Sequence, residues 1–155
     1  MKRSKQRGFS LLELLIALAI IMIITGSTFL VVRQSARRAL QDASIMLQAD
    51  IRYVQRRSII EGRSYGIRFF LPYRYDVVVF HSPRHDTDLR VDEVIRTVYM
   101  QNGVTIRQAS RNPFGYTPRG TKRGGSATVI LMNGRLQQNT TTTVSGGRVE
   151  IGPIY

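Results

Sequence analysis

Residues 8–32 read GFSLLELLIALAIIMIITGSTFLVV, and this stretch decides the architecture of the chain. From residue 11 to residue 32 the only charged side chain is that of Glu13. A helix over these residues would be roughly 33 Å long at about 1.5 Å of rise per residue, enough to cross the core of a bilayer. The preceding residues 1–8, MKRSKQRG, carry four cations and no acid. The pattern predicts a basic leader followed by a membrane-spanning helix.

This segment differs from an ordinary secretory signal. Such a signal has a shorter apolar region that ends in a small-residue cleavage site, and it is removed whole. Here the apolar run is followed by Arg33, Gln34 and Arg37. The segment therefore lacks the pattern of a secretory signal that is removed whole.

Glu13 is the unusual residue of the apolar segment. A carboxylate near the start of a membrane helix costs a few kcal/mol and is tolerated mainly where it has a partner or a function. Two explanations are open from physical chemistry alone. Glu13 is either solvated near the headgroups, where it can also favour the helix N-terminus electrostatically, or it has a partner or a function.

The string Gly8-Phe9-Ser10-Leu11-Leu12-Glu13 resembles the processing site of type IV prepilins and pseudopilins. The resemblance implies that a prepilin peptidase cleaves between Gly8 and Phe9 and methylates the new amine of Phe9. It also implies that Glu13 attracts the N-terminal amine of a neighbouring subunit and so fixes the axial register of assembly. The implied partners are the peptidase, the membrane and other pilin-like subunits, which would contact this chain through the N-terminal helix.

The apolar pattern becomes amphipathic after residue 32, without an obvious break. Apolar residues recur at steps of three and four, whereas the positions one residue further on are all polar. This spacing predicts that the helix continues with one buried stripe and ends near Gly62. The apolar positions of the stripe are Ala36, Leu40, Ala43, Leu47, Ile51 and Val54.

Strands and turns follow the helix. Residues 65–71 and 75–80 are aromatic and β-branched runs on either side of a Pro72 turn, which predicts a hairpin. Residues 94–100 and 104–107 flank Gln101-Asn102-Gly103, and the strand 127–132 precedes Asn133-Gly134, a favourable hairpin turn. We predict an α+β fold in which a long N-terminal helix, membrane-spanning in its first half, packs on a small antiparallel β-sheet head. The expected parts are a cleaved leader (1–8), a membrane and assembly half of the helix (9–32), an amphipathic half (33–62) and the head (63–155).

The head also resembles a known group of proteins. The passage from helix to strand at residues 47–69, the motif Phe114-x3-Pro118-x-Gly120, the strand before Asn133-Gly134 and the final Gly147-Arg148-Val149 resemble H-type minor pseudopilins of type II secretion and T-type fimbrial minor pilins. The resemblance implies a minor subunit of the type II secretion pseudopilus. It would be anchored in the inner membrane by a single span, with its head outside the cytoplasm. Flanking cations are balanced across the apolar segment, so this orientation depends on the leader.

The charge of the chain leaves a second function open. There are 23 Lys and Arg residues against 10 Asp and Glu, and removal of the four leader cations still leaves 19 against 10. A cluster of cations around Phe114 and Tyr116 has the composition of a phosphate-tracking, base-stacking surface. The alternative function is thus a DNA-binding minor pilin for DNA uptake, although a flexible solvated loop is the preferred interpretation of the cluster. The candidate nucleic-acid contacts are Arg107, Arg111, Arg119, Lys122, Arg123 and Arg148.

One motif argues against the DNA-binding alternative. T-type fimbrial relatives that bind DNA carry a C-terminal Gly-Arg-x-Arg pattern, of which only Arg148 is matched here. The position of the second Arg is occupied by Glu150. This acid removes a phosphate-binding cation and adds repulsion.

Catalytic and metal sites are not expected. His81, His85, Asp86 and Asp88 could be read as metal ligands, but Pro83 prevents the helical spacing that would align the two histidines. A solvated loop is the preferred interpretation. No nucleophile lies in a recognisable motif with a His and an acid, and the chain has no Cys. We therefore expect neither an enzyme nor a cofactor.

Overall fold

A computed structural model describes residues 10–81, 90–123, 125–142 and 148–155, without the side chains of residues 25–33 and 142. Gly8 and Phe9 lie outside the described residues, as do His85, Asp86 and Asp88. The first element is helix α1, Leu11–Glu61, which has 51 residues. It ends where Gly62 adopts a positive φ of 64°, a conformation that glycine reaches without a steric penalty.

The amphipathic half of α1 buries the predicted stripe. Leu40, Leu47, Ile51 and Val54 are fully buried, and two alanines of the stripe are partly buried. The polar positions one residue further along are not all exposed. Ser44 is fully buried, and its Oγ donates to Oε1 of Gln138 at 2.7 Å. A short hydroxyl side chain satisfied in this way can be buried at little cost.

Within the described residues, nine strands form two antiparallel sheets. One sheet has the order β3-β2-β1-β5-β6, and the other has the order β4-β7-β8-β9. The boundary between the two compact units of the chain falls between Ser35 and Ala36, so both sheets belong to the second unit together with the second half of α1. The strands are β1 Tyr65–Phe70, β2 Arg74–Phe80, β3 Val91–Tyr99, β4 Val104–Ala109, β5 Phe114–Tyr116, β6 Lys122–Arg123, β7 Ala127–Asn133, β8 Leu136–Thr142 and β9 Val149–Ile154.

Both predicted hairpins are present. Strand β1 pairs with β2, and β7 pairs with β8 across Asn133 and Gly134. The turn at residues 101–103 instead connects strands of different sheets, β3 and β4. Asn102 and Gly103 both have positive φ angles there, 54° and 76°, which reverses the chain within two residues.

Helix α1 is attached to both sheets by polar contacts. Gln48 Nε2 donates to the carbonyl of Val149 in the second sheet at 2.9 Å. Asp50, which is 5% exposed, accepts a hydrogen bond from the hydroxyl group of Tyr75 at 2.7 Å and forms an ion pair with Arg96. Burial, together with the Asp50 carboxylate, raises the pKa of Tyr75. The hydrophobic core is formed by α1 and both sheets. The buried carboxylate of Asp50, with its two partners, fixes α1 against the first sheet.

Two glycines allow an aromatic ring to lie flat on the first sheet. Gly66 in β1 and Gly115 in β5 are direct partners in the ladder. A Cβ atom on Gly66 would lie 2.3 Å from Cε2 of Phe80, and one on Gly115 would lie 2.4 Å from the same atom. Phe80 is 1% exposed. The absence of both side chains thus creates the space in which this ring is buried.

Candidate assembly site

The candidate assembly site begins at the first turn of α1. Ser10 caps the helix, since its carbonyl accepts from the backbone N–H of Glu13 at 3.0 Å and its Oγ lies 3.3 Å from the same nitrogen. Ser10 and Glu13 therefore have the spacing of a capping box, in which a Glu three residues after the cap stabilises the helix start. This local role follows from the pattern S-x-x-E, which the sequence analysis did not use.

The side chains after this turn are exposed on every side of the helix. Ile20, Ile21, Met22, Ile23 and Ile24 are consecutive, so they cover more than a full turn, and their exposed fractions range from 51% to 70%. A helix that is apolar all round requires apolar surroundings, either lipid or other helices. The exposed carboxylate of Glu13 stands at the N-terminal end of this surface.

The sequence predicts a membrane span at residues 11–32. Within the part of the chain that the structure describes, no helix is long and apolar enough to cross a membrane. The expected span, residues 11–32, includes the side chains of residues 25–32, which lie outside the described ones.

The candidate nucleic-acid residues do not form one exposed surface. Lys122 and Arg123 form strand β6 and are only 7% and 5% exposed. Phe114 and Tyr116 are fully buried in the core, so they cannot stack on bases. The expectation of a flexible loop is also wrong for these residues, because β5 and β6 continue the first sheet.

The other four candidate cations are exposed. Arg107 lies between Ile106 and Gln108, where the pairing register of β4 and β7 shifts. Arg111 and Arg119 are also exposed. Arg148 Nε lies 3.2 Å from an oxygen of Glu150, so the acid that replaces the expected second cation is an ion-pair partner of Arg148.

Lys122 has an unusual electrostatic position. Its ammonium lies 5.2 Å from the centre of the Phe114 ring. Burial, together with the nearby charge of Arg111, lowers the pKa of Lys122 to about 8. The folded chain therefore holds this proton less tightly than the unfolded chain, in which the ordinary value is 10.5.

This difference predicts a pH-dependent stability. Between pH 8 and pH 10.5 unfolding takes up a proton at Lys122, so the free energy of unfolding should rise with pH in that window. We expect a rise on the order of 1 kcal/mol from pH 8 to pH 10 that is absent in Lys122→Met. Denaturant unfolding of both chains across this range measures it. Equal slopes in the two chains would show that Lys122 does not titrate there.

No group of three His, Asp or Glu residues within the described residues could hold a metal ion. Of the four residues considered as metal ligands, His81 is described, whereas His85, Asp86 and Asp88 lie outside the described residues.

Comparisons with known proteins find a known motif at the N-terminus and similar folds among solved structures. Residues 3–29 match the family model of the prokaryotic N-terminal methylation motif. A crystal structure of the type IV minor pilin FimU of Pseudomonas aeruginosa has a TM-score of 0.61 at 16% identity and covers 76% of this chain and 90% of its own. The minor pseudopilin EpsH from the type 2 secretion system of Vibrio cholerae has a TM-score of 0.55 at 10% identity and covers 73% and 95%. No curated protein matches the sequence significantly.

The fold is therefore the type IV pilin-like fold, as the sequence predicts. The methylation motif begins before α1 and extends into it. The chain therefore carries a prokaryotic N-terminal methylation motif and is similar in fold to a minor pilin and to a minor pseudopilin.

Proposed function

We propose that this chain is a minor pseudopilin that is processed by a prepilin peptidase and assembles into a type II secretion pseudopilus. The proposed cleavage lies between Gly8 and Phe9, with N-methylation of Phe9. One observation carries the proposal: the methylation motif at residues 3–29 overlaps the start of a helix whose apolar side chains at residues 11–24 are exposed in the single chain. Such a surface is costly in water and suits a helix that is always covered, first by lipid and then by other subunits.

The proposed organisation follows from this use of the helix. Residues 1–8 are the leader, 9–32 the anchor and assembly segment, 33–62 the amphipathic half and 63–155 the head. Before assembly the chain would be a single-pass protein of the inner membrane with its head outside the cytoplasm. Assembly would then transfer residues 9–32 from lipid to the core of the filament.

Glu13 is the proposed register residue. In apolar surroundings an unpaired carboxylate is costly, and pairing with a positive amine removes most of that cost. The methylated amine of Phe9 on a neighbouring subunit supplies such a charge after cleavage. Only one axial offset between subunits brings the two groups together, so the pair would select that offset.

N-terminal mass spectrometry tests the processing step. In cells that contain a prepilin peptidase, we expect the mature chain to begin at N-methylated Phe9. Gly8→Leu should leave the leader in place, whereas Ser4→Ala, a change within the leader that leaves Gly8 intact, should be cleaved normally. An unmodified chain that retains residues 1–8 would contradict the proposed function.

Deletion of the gene in its own cells tests the choice of machine. We expect loss of secreted proteins from the medium and normal uptake of DNA. The opposite result would favour the DNA-uptake alternative. Two of the six candidate cations of that alternative and both of its aromatic residues are buried, which argues against it.

A further inference from the structure

The second half of α1 carries a row of arginines on the side that faces away from the sheets. We define the arginine face as Arg38, Ile45, Arg52, Arg56 and Ile60. These positions recur at intervals of seven, seven, four and four residues, so they lie on one side of the helix. The buried residues Leu40, Leu47 and Val54 lie on the opposite side. Ile45 is 50% exposed and Ile60 is 77% exposed.

The arginine face has few carboxylates near it. Within the described residues, Arg38, Arg52 and Arg56 form no ion pair. Three acids lie on the helix from residue 36 to its end. Asp50 is buried against Arg96, and Glu61 pairs with Arg57 at 2.6 Å, which leaves only Asp42 exposed without an ion pair. Asp42 lies one turn beyond Arg38 on the same side of the helix. The face therefore carries three arginines against one acid, together with two exposed isoleucines.

We propose that the arginine face binds a different filament subunit, one that presents carboxylates interspersed with apolar side chains. This inference rests on the proposed function and names a partner for the subunit. Arg52 and Arg56 are one helical turn apart, a spacing that a pair of carboxylates on a neighbouring helix can match. Guanidinium groups form strong, directional pairs with carboxylates, and the two isoleucines add apolar area on either side.

A second copy of this chain is a poor partner for the arginine face. In the described part of the second unit three of the five exposed acids are already paired: Glu61 with Arg57, Asp92 with Arg63 at 3.1 Å, and Glu150 with Arg148 at 3.2 Å. Asp42 and Glu93 are the exposed acids that remain there. Without the leader the chain has 19 basic and 10 acidic residues, so identical copies repel each other.

A membrane surface is also a poor partner for the whole face. From Arg38 to Arg56 the helix rises by roughly 27 Å at about 1.5 Å per residue. The headgroup region of one leaflet is only about 5 to 8 Å thick. In a helix that crosses the membrane, headgroups could reach Arg38 but not Arg52 and Arg56. Binding at Arg52 and Arg56 therefore distinguishes a protein partner from a lipid surface.

Site-specific photocrosslinking tests the proposal in the full chain. Because the protein has no Cys, Ile60→Cys provides a single site for benzophenone maleimide in membranes of the producing cells. We expect adducts with another subunit, attached within an acidic segment of that subunit. Adducts mainly with a second copy of this chain, or mainly with lipid, would overturn the proposal.

Charge reversal tests whether the arginines select this partner. Arg52→Glu and Arg56→Glu should each reduce the heterologous adduct about tenfold, an effect expected for a charge pair at an interface. The matched control Arg135→Glu removes an exposed arginine in the turn between β7 and β8 and should leave the yield within about twofold. Changing the crosslinked acids of the partner to Lys should restore the adduct of Arg56→Glu. An unchanged yield in both helix variants would refute the role of the arginines.

The two proposals fail in different ways. If the chain is cleaved and methylated but gives no heterologous adduct, only the arginine face is wrongly assigned. If the chain keeps its leader, the proposed function itself fails.

Discussion

Glu13→Gln should leave cleavage after Gly8 intact but reduce incorporation of the chain into filaments by about two orders of magnitude. The amide has nearly the same shape as the carboxylate but no charge, so it cannot neutralise the amine of a neighbouring Phe9. An ionised group left without its partner in apolar surroundings costs about 3 to 5 kcal/mol, more than enough for such a reduction. Quantitative immunoblotting of sheared filaments against the membrane fraction measures it.

The choice of Gln separates the two roles of Glu13. Gln at the third helical position can still form a capping box with Ser10, so a purely local role would survive the change. Ser10→Ala removes the cap and keeps the charge, and we expect only a modest loss of helix stability from it, about 1 kcal/mol. If Glu13→Gln filaments were normal and Ser10→Ala filaments were not, helix capping would be the function of the residue.

Gly66→Ala should prevent stable folding of the head. The added Cβ would lie 2.3 Å from the carbonyl oxygen of Phe114 and 2.8 Å from Cα of Gly115, both backbone atoms of the paired strand. Relief requires β1 and β5 to move apart, which breaks their ladder and exposes the Phe80 ring. We expect a loss of at least about 4 kcal/mol, a large part of the stability of a small domain. Denaturant unfolding of the purified chain measures this loss.

Gly152→Ala is the matched control for this change. Its Cβ would have its nearest neighbour, the carbonyl oxygen of Asn139, at 3.4 Å, close to ordinary contact. We expect an effect below about 1 kcal/mol there. Gly66→Ala combined with Phe80→Ala should not recover stability, because the backbone contact remains. Recovery of stability in the double variant would show that the added Cβ atom clashes only with the Phe80 ring.

The helix could be predicted from sequence because its signals are local. An apolar run passes into an amphipathic repeat, and Gly62 supplies the left-handed residue that ends it. The two hairpins were predictable for the same reason, since Pro72 and Asn133-Gly134 mark their turns. The fold class follows from these elements, and the type IV pilin-like fold follows from the leader motif.

The two-sheet arrangement and the buried polar groups could not be predicted in this way. Strands β5 and β6 have three and two residues, too few for a periodic pattern. Lys122 and Arg123 are typical surface residues by type, and only their pairing with β5 removes them from solvent. Asp50 likewise reads as a solvated helix position, because its partners Tyr75 and Arg96 are distant in sequence.

The attachment of α1 to both sheets has a mechanical consequence. Nearer its start, the second half of the helix is bonded to Gln138 and Val149 in one sheet, and further on it is bonded to Tyr75 and Arg96 in the other. A pull along the helix axis at residue 36 would load these contacts in shear and at the same time. We therefore expect the head to yield in a single rupture event under force, not in steps, which single-molecule pulling would reveal. The arrangement would divide an axial load among several contacts at once instead of placing it on one.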